Sequence, residues 1–284
     1  HRPPVDWLEA LLLGVVQGLT EFLPISSSGH LTLVPWLQDY TFLRENPDFH
    51  AIFDVALHFG TLIGVVIYFR NELLAMVRGF FRSVAARAIT DTDSRLAWVI
   101  IVGTIPAVLV GGLGEDWIDD NLGEPWMIAV QLIAFGLLLA WADRLPQRRE
   151  VDEVNVKHGL FIGAAQALAL APGTSRSGVT ITAGRFLGLT RDAAARVSFL
   201  LLVPATAGAV VVKGYDALTQ ELPDGVLVPM IVGILASAIS GYLAIAGLLR
   251  FVRTRSYDIF VVYRVLIGIG ILVLIATGAR AATF

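Results

Sequence analysis

The chain is 284 residues long, and 56% of its residues are hydrophobic whereas only 16% are charged. A soluble domain carries about 25% charged residues, so this composition excludes an ordinary water-covered surface and predicts a protein that lies in a bilayer. The formal net charge of −3 gives no indication of a nucleic-acid partner, and the absence of cysteine excludes disulfides, thiolate catalysis and cysteine-ligated metals.

The first predicted element, residues 5–37, is apolar at both ends but polar in its middle, which reads EFLPISSSGH. Its length suits two half-helices that fold back at a break better than a single span of about 20 residues. Irregular backbone at membrane depth persists only where protein buries it or where it lines a wet cavity. We therefore predict a re-entrant hairpin. The apolar run lacks a basic approach and an A-x-A-like cleavage site, so we do not expect a signal peptide.

Six further stretches are apolar and long enough, at about 20 residues, to cross the hydrocarbon core. They are residues 52–69, 96–113, 126–141, 197–212, 226–249 and 259–278. Between the third and the fourth, residues 156–189 repeat the pattern of the first element, with apolar ends and a middle of Pro, Gly, Ser and Thr. We predict a second re-entrant hairpin there.

The positive charges orient these elements in the membrane. Fifteen Lys and Arg residues lie in the connections 70–95, 143–157, 184–196 and 250–258, whereas the connections 36–50, 114–125 and 213–224 hold two. The positive-inside rule places the first set in the cytoplasm and the second set outside. Hairpin one then enters from outside, hairpin two enters from the cytoplasm, and both termini lie outside.

The two hairpins also resemble each other in sequence. GVVQGLTEFLPISSSG begins at Gly14 and GAAQALALAPGTSRSG at Gly163, with one-residue gaps, so that Gln17 matches Gln166. Inverted repeats with broken helices near the midplane are a known membrane architecture. We predict an all-α polytopic membrane protein with one integral membrane domain. It consists of two inverted repeats, residues 1–142 and 156–284, each with one hairpin and three spans.

If the hairpin tips meet, they collect polar side chains inside the membrane. These are Glu21, Ser26, Ser27, Ser28, His30, Thr174, Ser175, Arg176, Ser177 and Thr180. Each half-helix that follows a tip presents free backbone N–H groups and the positive end of its dipole, and Ser26 and Thr174 are the expected N-caps. Two such helix ends with one buried arginine form an anion receptor, for which phosphate is the expected ligand.

Arg176 has two interpretations. An unpaired arginine in the membrane is costly, so the side chain either forms a salt bridge to Glu21 that holds the hairpins together or clamps a phosphate that Glu21 also orients. Ser27 and His30 stand at i and i+3, on one face of a helix. Such a pair is the minimum for nucleophilic or general-base chemistry; the alternative for His30 is a structural histidine bonded to a carbonyl.

Three residues outside the tips have both a functional and a structural interpretation. Asp54 and His58 stand at i and i+4 on a predicted span, a spacing that suits a metal but that more often reflects two residues that satisfy each other or face the cavity. Arg264 lies several residues into the last span. It either snorkels to the cytoplasmic surface or reaches the site.

The sequence is similar, nearly end to end, to the bacterial undecaprenyl-diphosphate phosphatases of the bacitracin-resistance type. Their two signatures are (E/Q)xxxE leading into P-x-S-S-x-G-H, and P-G-x-S-R-S-x-x-T. Here they read QGLTE from Gln17, PISSSGH from Pro24 and PGTSRSGVT from Pro172. The resemblance implies hydrolysis of the terminal phosphate of a C55 polyprenyl diphosphate, which yields the monophosphate carrier of cell-wall synthesis in the bacterial plasma membrane.

The resemblance also implies site residues, namely Glu21, Ser27, His30, Ser175, Arg176, Thr180 and Arg264, and the polar residues of the tips complete the set. Catalysis is assigned to Glu21, Ser27, His30 and Arg176, phosphate binding to Ser26, Thr174, Ser175, Ser177, Thr180 and Arg264, and support to Gln17. Family members are described as assisted by divalent cations, which keeps Mg²⁺ or Ca²⁺ open with Glu21 as the ligand. Many members carry Glu where this chain has Gln17, so this motif provides no two-carboxylate chelate here and no metal site is assigned.

The expected mechanism has Ser27 as the nucleophile and His30 as the acceptor of its proton, with Glu21 orienting His30 or Arg176 or protonating the leaving group. The rival mechanism makes His30 the nucleophile and Ser27 a phosphate ligand.

Two other function classes are alternatives. One is a transporter of polyprenyl phosphate, which the inverted repeats favour. The other is an intramembrane serine protease, in which Arg176 would have no function. The sequence does not determine prenyl chain length, a homodimer, or the side to which the site opens, although lipid recycling favours an outward opening.

Overall fold

The computed structural model describes residues 5–38, 46–219 and 222–283. Within these ranges the regular secondary structure is helical, apart from one isolated β-bridge between Arg149 and Leu189. Eleven α-helices lie in the described ranges. They are α1 Trp7–Phe22, α2 Ser27–Gln38, α3 Pro47–Tyr68, α4 Arg70–Ala86, α5 Thr92–Leu122, α6 Pro125–Asp143, α7 Val156–Ala167, α8 Arg176–Phe186, α9 Arg191–Thr219, α10 Leu227–Val252 and α11 Asp258–Ala276. Short 3₁₀ turns precede α7 at Val151–Glu153 and follow it at Leu168–Leu170.

Six of these helices are long and apolar enough to cross a membrane, and each overlaps one of the six spans expected from the sequence, with ends that differ by one to six residues. They are Phe49–Tyr68, Thr92–Gly114, Pro125–Asp143, Arg191–Tyr215, Leu227–Val252 and Asp258–Ala276. The prediction of an all-helical, multi-pass membrane protein is therefore confirmed.

Both expected hairpins are broken helices. α1, α2, α7 and α8 contain 16, 12, 12 and 11 residues, and at 1.5 Å per residue the longest is about 24 Å. None of the four can cross a hydrocarbon core of about 30 Å alone. The first break follows Phe22 and contains Pro24, and the second contains Pro172 and Gly173, whose φ of 92° suits glycine.

Helices extend into several of the expected connections. α4 lies within residues 70–95, and α9 continues to Thr219 within residues 213–224. At residues 114–125, α5 continues through Leu122 and only Gly123 and Glu124 separate it from α6. α5 ends where Gly123 and then Pro125 favour a turn and a new helix start.

Small residues let the hairpins pack closely on the spans. A Cβ added to Gly18 on α1 would lie 1.9 Å from Ser240 Oγ on α10, and one added to Gly163 on α7 would lie 2.0 Å from the Gly103 carbonyl oxygen on α5. Helices in membranes associate through such small-residue contacts. The first helix of each hairpin thus packs against the second span of the other half of the chain.

A second set of contacts fixes the far end of α8. Arg185 is fully buried and donates to the backbone carbonyls of Asp143 at 3.0 Å, Leu145 at 2.7 Å and Leu189. The Asp143 carboxylate accepts two bonds from Arg191 and one from the Tyr257 backbone N–H. This cluster joins the ends of α6, α8, α9 and α11, so it holds hairpin two at its base.

The close contact of α5 and α7 generates a stability prediction. Gly163→Ala pushes the two helices apart, because its methyl group meets the Gly103 carbonyl, and we expect it to destabilise the fold by about 1–3 kcal/mol. Unfolding in mixed micelles, followed by far-UV circular dichroism, measures the change.

The matched control is Gly270→Ala on α11, where an added Cβ meets no atom within 4 Å. This variant should be neutral or more stable by up to about 1 kcal/mol, as for Gly to Ala within a helix. Equal destabilisation by both substitutions would contradict the close packing of α5 and α7.

Candidate functional site

The two hairpin tips have the same local structure. Ser26 and Ser175 both adopt φ of 77°, a region that residues other than glycine occupy at a cost of about 1–3 kcal/mol. Their hydroxyl oxygens cap the following helices, accepting from the Gly29 N–H at 3.2 Å and from the Gly178 N–H at 3.1 Å. The Ser26 cap is as expected. The expected Thr174 cap is wrong, because Ser175 occupies that position and the Thr174 hydroxyl donates to Gln131 Oε1.

The tips meet, and residues of the second hairpin donate to the first. Arg176 Nη2 lies 3.2 Å from both the Glu21 carbonyl oxygen and Glu21 Oε1, and Ser177 Oγ donates to the Leu23 carbonyl at 3.0 Å. Arg176 Nη1 donates to the Ser198 carbonyl on α9 at 2.8 Å. The salt bridge between Arg176 and Glu21, one of the two interpretations of the arginine, is therefore present and joins the hairpins.

Glu21 is the centre of the polar contacts. Its side chain is buried, and Oε2 accepts from Ser27 Oγ at 2.5 Å and from Gln17 Nε2 at 3.2 Å. His58 Nε2, on α3, lies 3.6 Å from the same oxygen. The group bonded to the Ser27 hydroxyl is thus a carboxylate, which can accept its proton.

His30 has other partners than Ser27. Its Nδ1 lies 2.6 Å from the Ser26 carbonyl oxygen and its Nε2 lies 2.7 Å from the Tyr263 hydroxyl. Since a carbonyl only accepts, Nδ1 carries the proton, and in the neutral ring Nε2 accepts from Tyr263. The structure therefore brings Ser27 to Glu21 and places His30 between a tip carbonyl and α11, as in the structural interpretation of His30.

Arg264 reaches the tips but binds only backbone. The side chain is fully buried. Its nitrogens lie 3.0–3.4 Å from the carbonyl oxygens of Pro24, Gln131, Leu132, Gly173 and Thr174. It does not snorkel to the surface; it joins both hairpin breaks to α6.

A cavity of about 440 Å³ opens beside the Glu21 carboxylate. Its polar lining residues are Glu21, Ser27, Ser28, Asp54, His58, Gln166, Arg176, Thr206 and Lys213, and the rest of the lining is Ala, Val and Leu. Of the residues assigned from the sequence, Glu21, Ser27 and Arg176 therefore line the cavity. Those outside its lining are Gln17, Ser26, His30, Thr174, Ser175, Ser177, Thr180 and Arg264.

Thr180 illustrates how the residues outside the lining support it. Its hydroxyl donates to the Arg176 carbonyl at 2.8 Å and contacts Ser198 Oγ at 2.7 Å. Because Ser198 also gives its carbonyl to Arg176, these bonds fix the first turn of α8 against α9. Thr180 thus orients the arginine without touching the cavity.

A larger cavity, of about 620 Å³, lies elsewhere, between α4, α5 and α9. Its lining includes five carboxylates, from Glu72, Asp93, Glu150, Asp152 and Asp192, with Arg196 as its single basic residue. Such a surface repels a diphosphate. The smaller cavity, where Arg176 and Lys213 are present, is the candidate anion site.

The donor set at the tips does not fit a resident divalent ion. Both oxygens of Glu21 are bonded to Arg176, Ser27 and Gln17, and in the described ranges no three His, Asp or Glu side chains cluster to hold a metal. Asp54 and His58 do not pair through their side chains, since His58 Nδ1 binds the Asp54 backbone carbonyl at 2.7 Å. Both residues line the cavity, which was the other expectation for them.

Sequence reasoning missed three residues of this region. Tyr263 bonds His30, and Lys213 and Gln166 line the cavity. Gln166 carried a usable signal, since it matches Gln17 in the repeat. Lys213 was assigned to a connection but belongs to α9, and nothing in its local sequence points to the hairpin tips.

Arg264 generates the prediction for this site. Arg264→Lys keeps the positive charge but cannot reach carbonyls on α6 and on both tips at once, so several buried acceptors lose their donor. Each such loss costs about 1–3 kcal/mol, and we expect a total of at least about 3 kcal/mol in unfolding experiments in micelles.

The control for that prediction is Arg250→Lys, at an exposed position near the end of α10, which should leave the unfolding midpoint unchanged. An Arg264→Lys protein as stable as the wild type would contradict the bonds between Arg264 and the tips.

The chain is similar to known proteins over nearly its whole length. The family described as bacitracin resistance protein BacA matches residues 10–270. A protein of Trichlorobacter lovleyi named undecaprenyl-diphosphatase is 44% identical over 280 residues, which cover 96% of this chain and 99% of that protein. A Geobacter sulfurreducens protein of the same name is 47% identical over 266 residues, 93% of this chain and 96% of its own. The chain therefore belongs to the BacA family of bacitracin resistance proteins.

Proposed function

We propose that this protein is a membrane phosphatase that hydrolyses undecaprenyl diphosphate to undecaprenyl phosphate and inorganic phosphate. The observation that carries the proposal is the Ser27 hydroxyl, 2.5 Å from a buried carboxylate that is paired with Arg176, at a cavity where two helix N-termini converge. Relatives named undecaprenyl-diphosphatase over nearly the whole chain supply the substrate. The activity recycles the lipid carrier of peptidoglycan synthesis and thereby confers bacitracin resistance.

The substrate is held so that its charged end meets the tips. The prenyl tail lies in the bilayer and the diphosphate enters the cavity, where Arg176 and the N-terminal amides of α2 and α8 bind the terminal phosphoryl group. These groups are in place before the reaction, and they stabilise the charge that develops in phosphoryl transfer.

Ser27 attacks the terminal phosphorus. Glu21 takes the hydroxyl proton while the bond from Ser27 Oγ to phosphorus forms and the bridging P–O bond breaks, releasing undecaprenyl phosphate. Glu21 passes this proton to the leaving undecaprenyl phosphate and is a carboxylate again. It then deprotonates a water molecule, whose oxygen attacks the phosphorus of the phosphoserine. The bond from phosphorus to Ser27 Oγ breaks, Glu21 returns the proton to Ser27 Oγ, and inorganic phosphate is released. Both steps are general-base catalysis of phosphoryl transfer to oxygen.

This assignment changes the role of His30. As a proton acceptor or as the nucleophile it has to act through Nε2 and therefore has to lose the bond from Tyr263, whereas Glu21 already contacts Ser27. We therefore assign His30 to positioning of the Ser26 tip. The other residues outside the cavity lining act likewise. Gln17 orients Glu21, while Ser26, Thr174, Ser175, Ser177, Thr180 and Arg264 hold the tips and α8 in place.

The proposal also covers the orientation of the protein in the membrane and its oligomeric state. The two halves, residues 1–142 and 156–284, form inverted repeats, which the exchanged packing of α1 on α10 and of α7 on α5 supports. The protein lies in the bacterial plasma membrane with both termini outside, as the distribution of Lys and Arg favours, and its cavity opens outward. A homodimer stays part of the proposal, and light scattering of the solubilised protein tests it.

A carrier of polyprenyl phosphate and an intramembrane protease are less compatible with the site. Transport alone needs no hydroxyl bonded to a carboxylate, and peptide hydrolysis leaves the buried Arg176 without a task.

Phosphate release from undecaprenyl diphosphate in detergent tests the function. We expect the wild type to be active, Ser27→Ala to lose roughly a thousandfold or more, and Arg176→Ala to lose roughly 10³-fold or more because transition-state charge is no longer neutralised. The same reactions are run with and without a chelator. The comparison separates the losses caused by the substitutions from any dependence of the reaction on a cation bound to the diphosphate.

Ser28→Ala is the matched control for Ser27→Ala, since the Ser28 hydroxyl contacts only Ser26 Oγ at 3.4 Å, and we expect a loss of less than about tenfold. Wild-type protein that binds the lipid but releases no phosphate would overturn the phosphatase and favour the carrier.

The identity of the nucleophile has a separate test. After reaction with substrate labelled in its terminal phosphate and an acid quench, we expect label on the peptide that contains Ser27, because phosphoserine survives acid. Phosphohistidine does not survive acid. Acid-labile label that maps to His30 would overturn the role of Ser27, and His30→Gln, which keeps Ser27 and Glu21, should still form the acid-stable species.

A further inference from the structure

Gln166 is a buried polar residue that the mechanism above does not use. It lies on α7, is 3% exposed and lines the 440 Å³ cavity. Neither Nε2 nor Oε1 of its carboxamide has a hydrogen-bond partner among the described residues. Exchanging the two amide atoms does not change this, because both are unpaired. Buried polar side chains in native proteins are almost always bonded, so this carboxamide is expected to bind something that enters the cavity.

Arg176 contributes a second unpaired donor to the same cavity. Its two terminal nitrogens bind Glu21 and the Ser198 carbonyl, but its Nε has no partner among the described residues. Two residues that line one cavity therefore each carry a buried N–H donor with no acceptor among the described residues, and one of these donors is charged. A phosphoryl oxygen is an acceptor that suits both, and hydrogen bonds to charged groups are the stronger ones.

The equivalent residue of the first hairpin has a different task. Gln17 matches Gln166 in the repeat, and its Nε2 donates to Glu21 Oε2 at 3.2 Å. Glu21 follows Gln17 by four residues, whereas the residue four positions after Gln166 is Leu170, an apolar residue that lines the cavity. The two glutamines thus differ in what they can bind: one is bonded to the catalytic carboxylate, and the other has no protein acceptor.

We propose that Gln166 is a substrate-binding residue whose Nε2–H donates to a phosphoryl oxygen of the bound diphosphate, beside Arg176 Nε. The inference rests on the proposed phosphatase function and extends it. Hairpin one supplies the nucleophile and the base, and hairpin two supplies Gln166 and Arg176 to hold the anion.

Gln166→Leu tests the proposal in two measurements. Phosphate release at varied concentrations of undecaprenyl diphosphate should show KM raised roughly ten- to a hundredfold, as for the loss of a hydrogen bond to a charged group, with a smaller change in kcat. The ligand-free variant should unfold at the same temperature as the wild type or higher, because leucine removes two unpaired polar atoms from a buried site.

Two further variants sharpen the test. Gln166→Glu keeps the size of the side chain but loses the amide donor and adds a negative charge, so its KM should rise further than that of Gln166→Leu. In a Ser27→Ala background, which binds without turnover, Gln166→Leu should weaken the binding of undecaprenyl diphosphate by the same factor as it raises KM.

The control is Thr104→Val, which removes a buried hydroxyl from the adjacent helix α5, where it bonds the Ile100 carbonyl and does not line the cavity. Its KM should be that of the wild type. An active wild type with unchanged KM in Gln166→Leu would overturn this inference and leave the phosphatase standing. A lower unfolding temperature of Gln166→Leu would also overturn it, by showing a structural role. An inactive wild type would overturn the phosphatase itself.

Discussion

The architecture depends on one requirement, that the carbonyl groups freed where a helix breaks inside the membrane must find donors. Water is not present in the hydrocarbon core to satisfy them, and each unsatisfied group costs several kcal/mol. Arg264 and Arg176 meet this need at both tips, through the carbonyls of Glu21, Pro24 and Gly173. The breaks also produce the two helix ends to which we assign phosphate binding, so in our proposal the stabilisation of the tips and the chemistry of the site have the same origin.

The sequence was sufficient for the spans, the two broken helices and the set of residues that meet at the tips, because hydropathy and breaker residues act over short distances. It was not sufficient for the choice of partners. Ser27 and His30 share a helix face, yet Ser27 bonds to Glu21, six residues earlier, and His30 bonds to Tyr263, 233 residues later. Spacing along a helix predicts which side chains are neighbours. The hydrogen-bond partners depend in addition on the positive φ at Ser26 and on Tyr263, which α11 brings to the tip.

The two halves share a plan but differ at the site. Ser26 and Ser175 have the same φ and cap their helices in the same way, whereas the positions that follow carry Ser27 in one hairpin and Arg176 in the other. Two tips of the same local structure can thus present a hydroxyl and a guanidinium to one cavity. The glycine contacts between α1 and α10 and between α5 and α7 hold both hairpins against spans of the other half, which keeps the two sides in register.

The position of Arg264 in the last helix has a consequence for biosynthesis. Chains are made from the N-terminus, so both hairpins leave the ribosome before their common donor does. Until α11 enters the bilayer, the Pro24 and Gly173 carbonyls lack the guanidinium that later binds them. The reaction centre is consequently the last part of the molecule to mature, and a nascent protein that stalls before this helix holds two incomplete re-entrant loops.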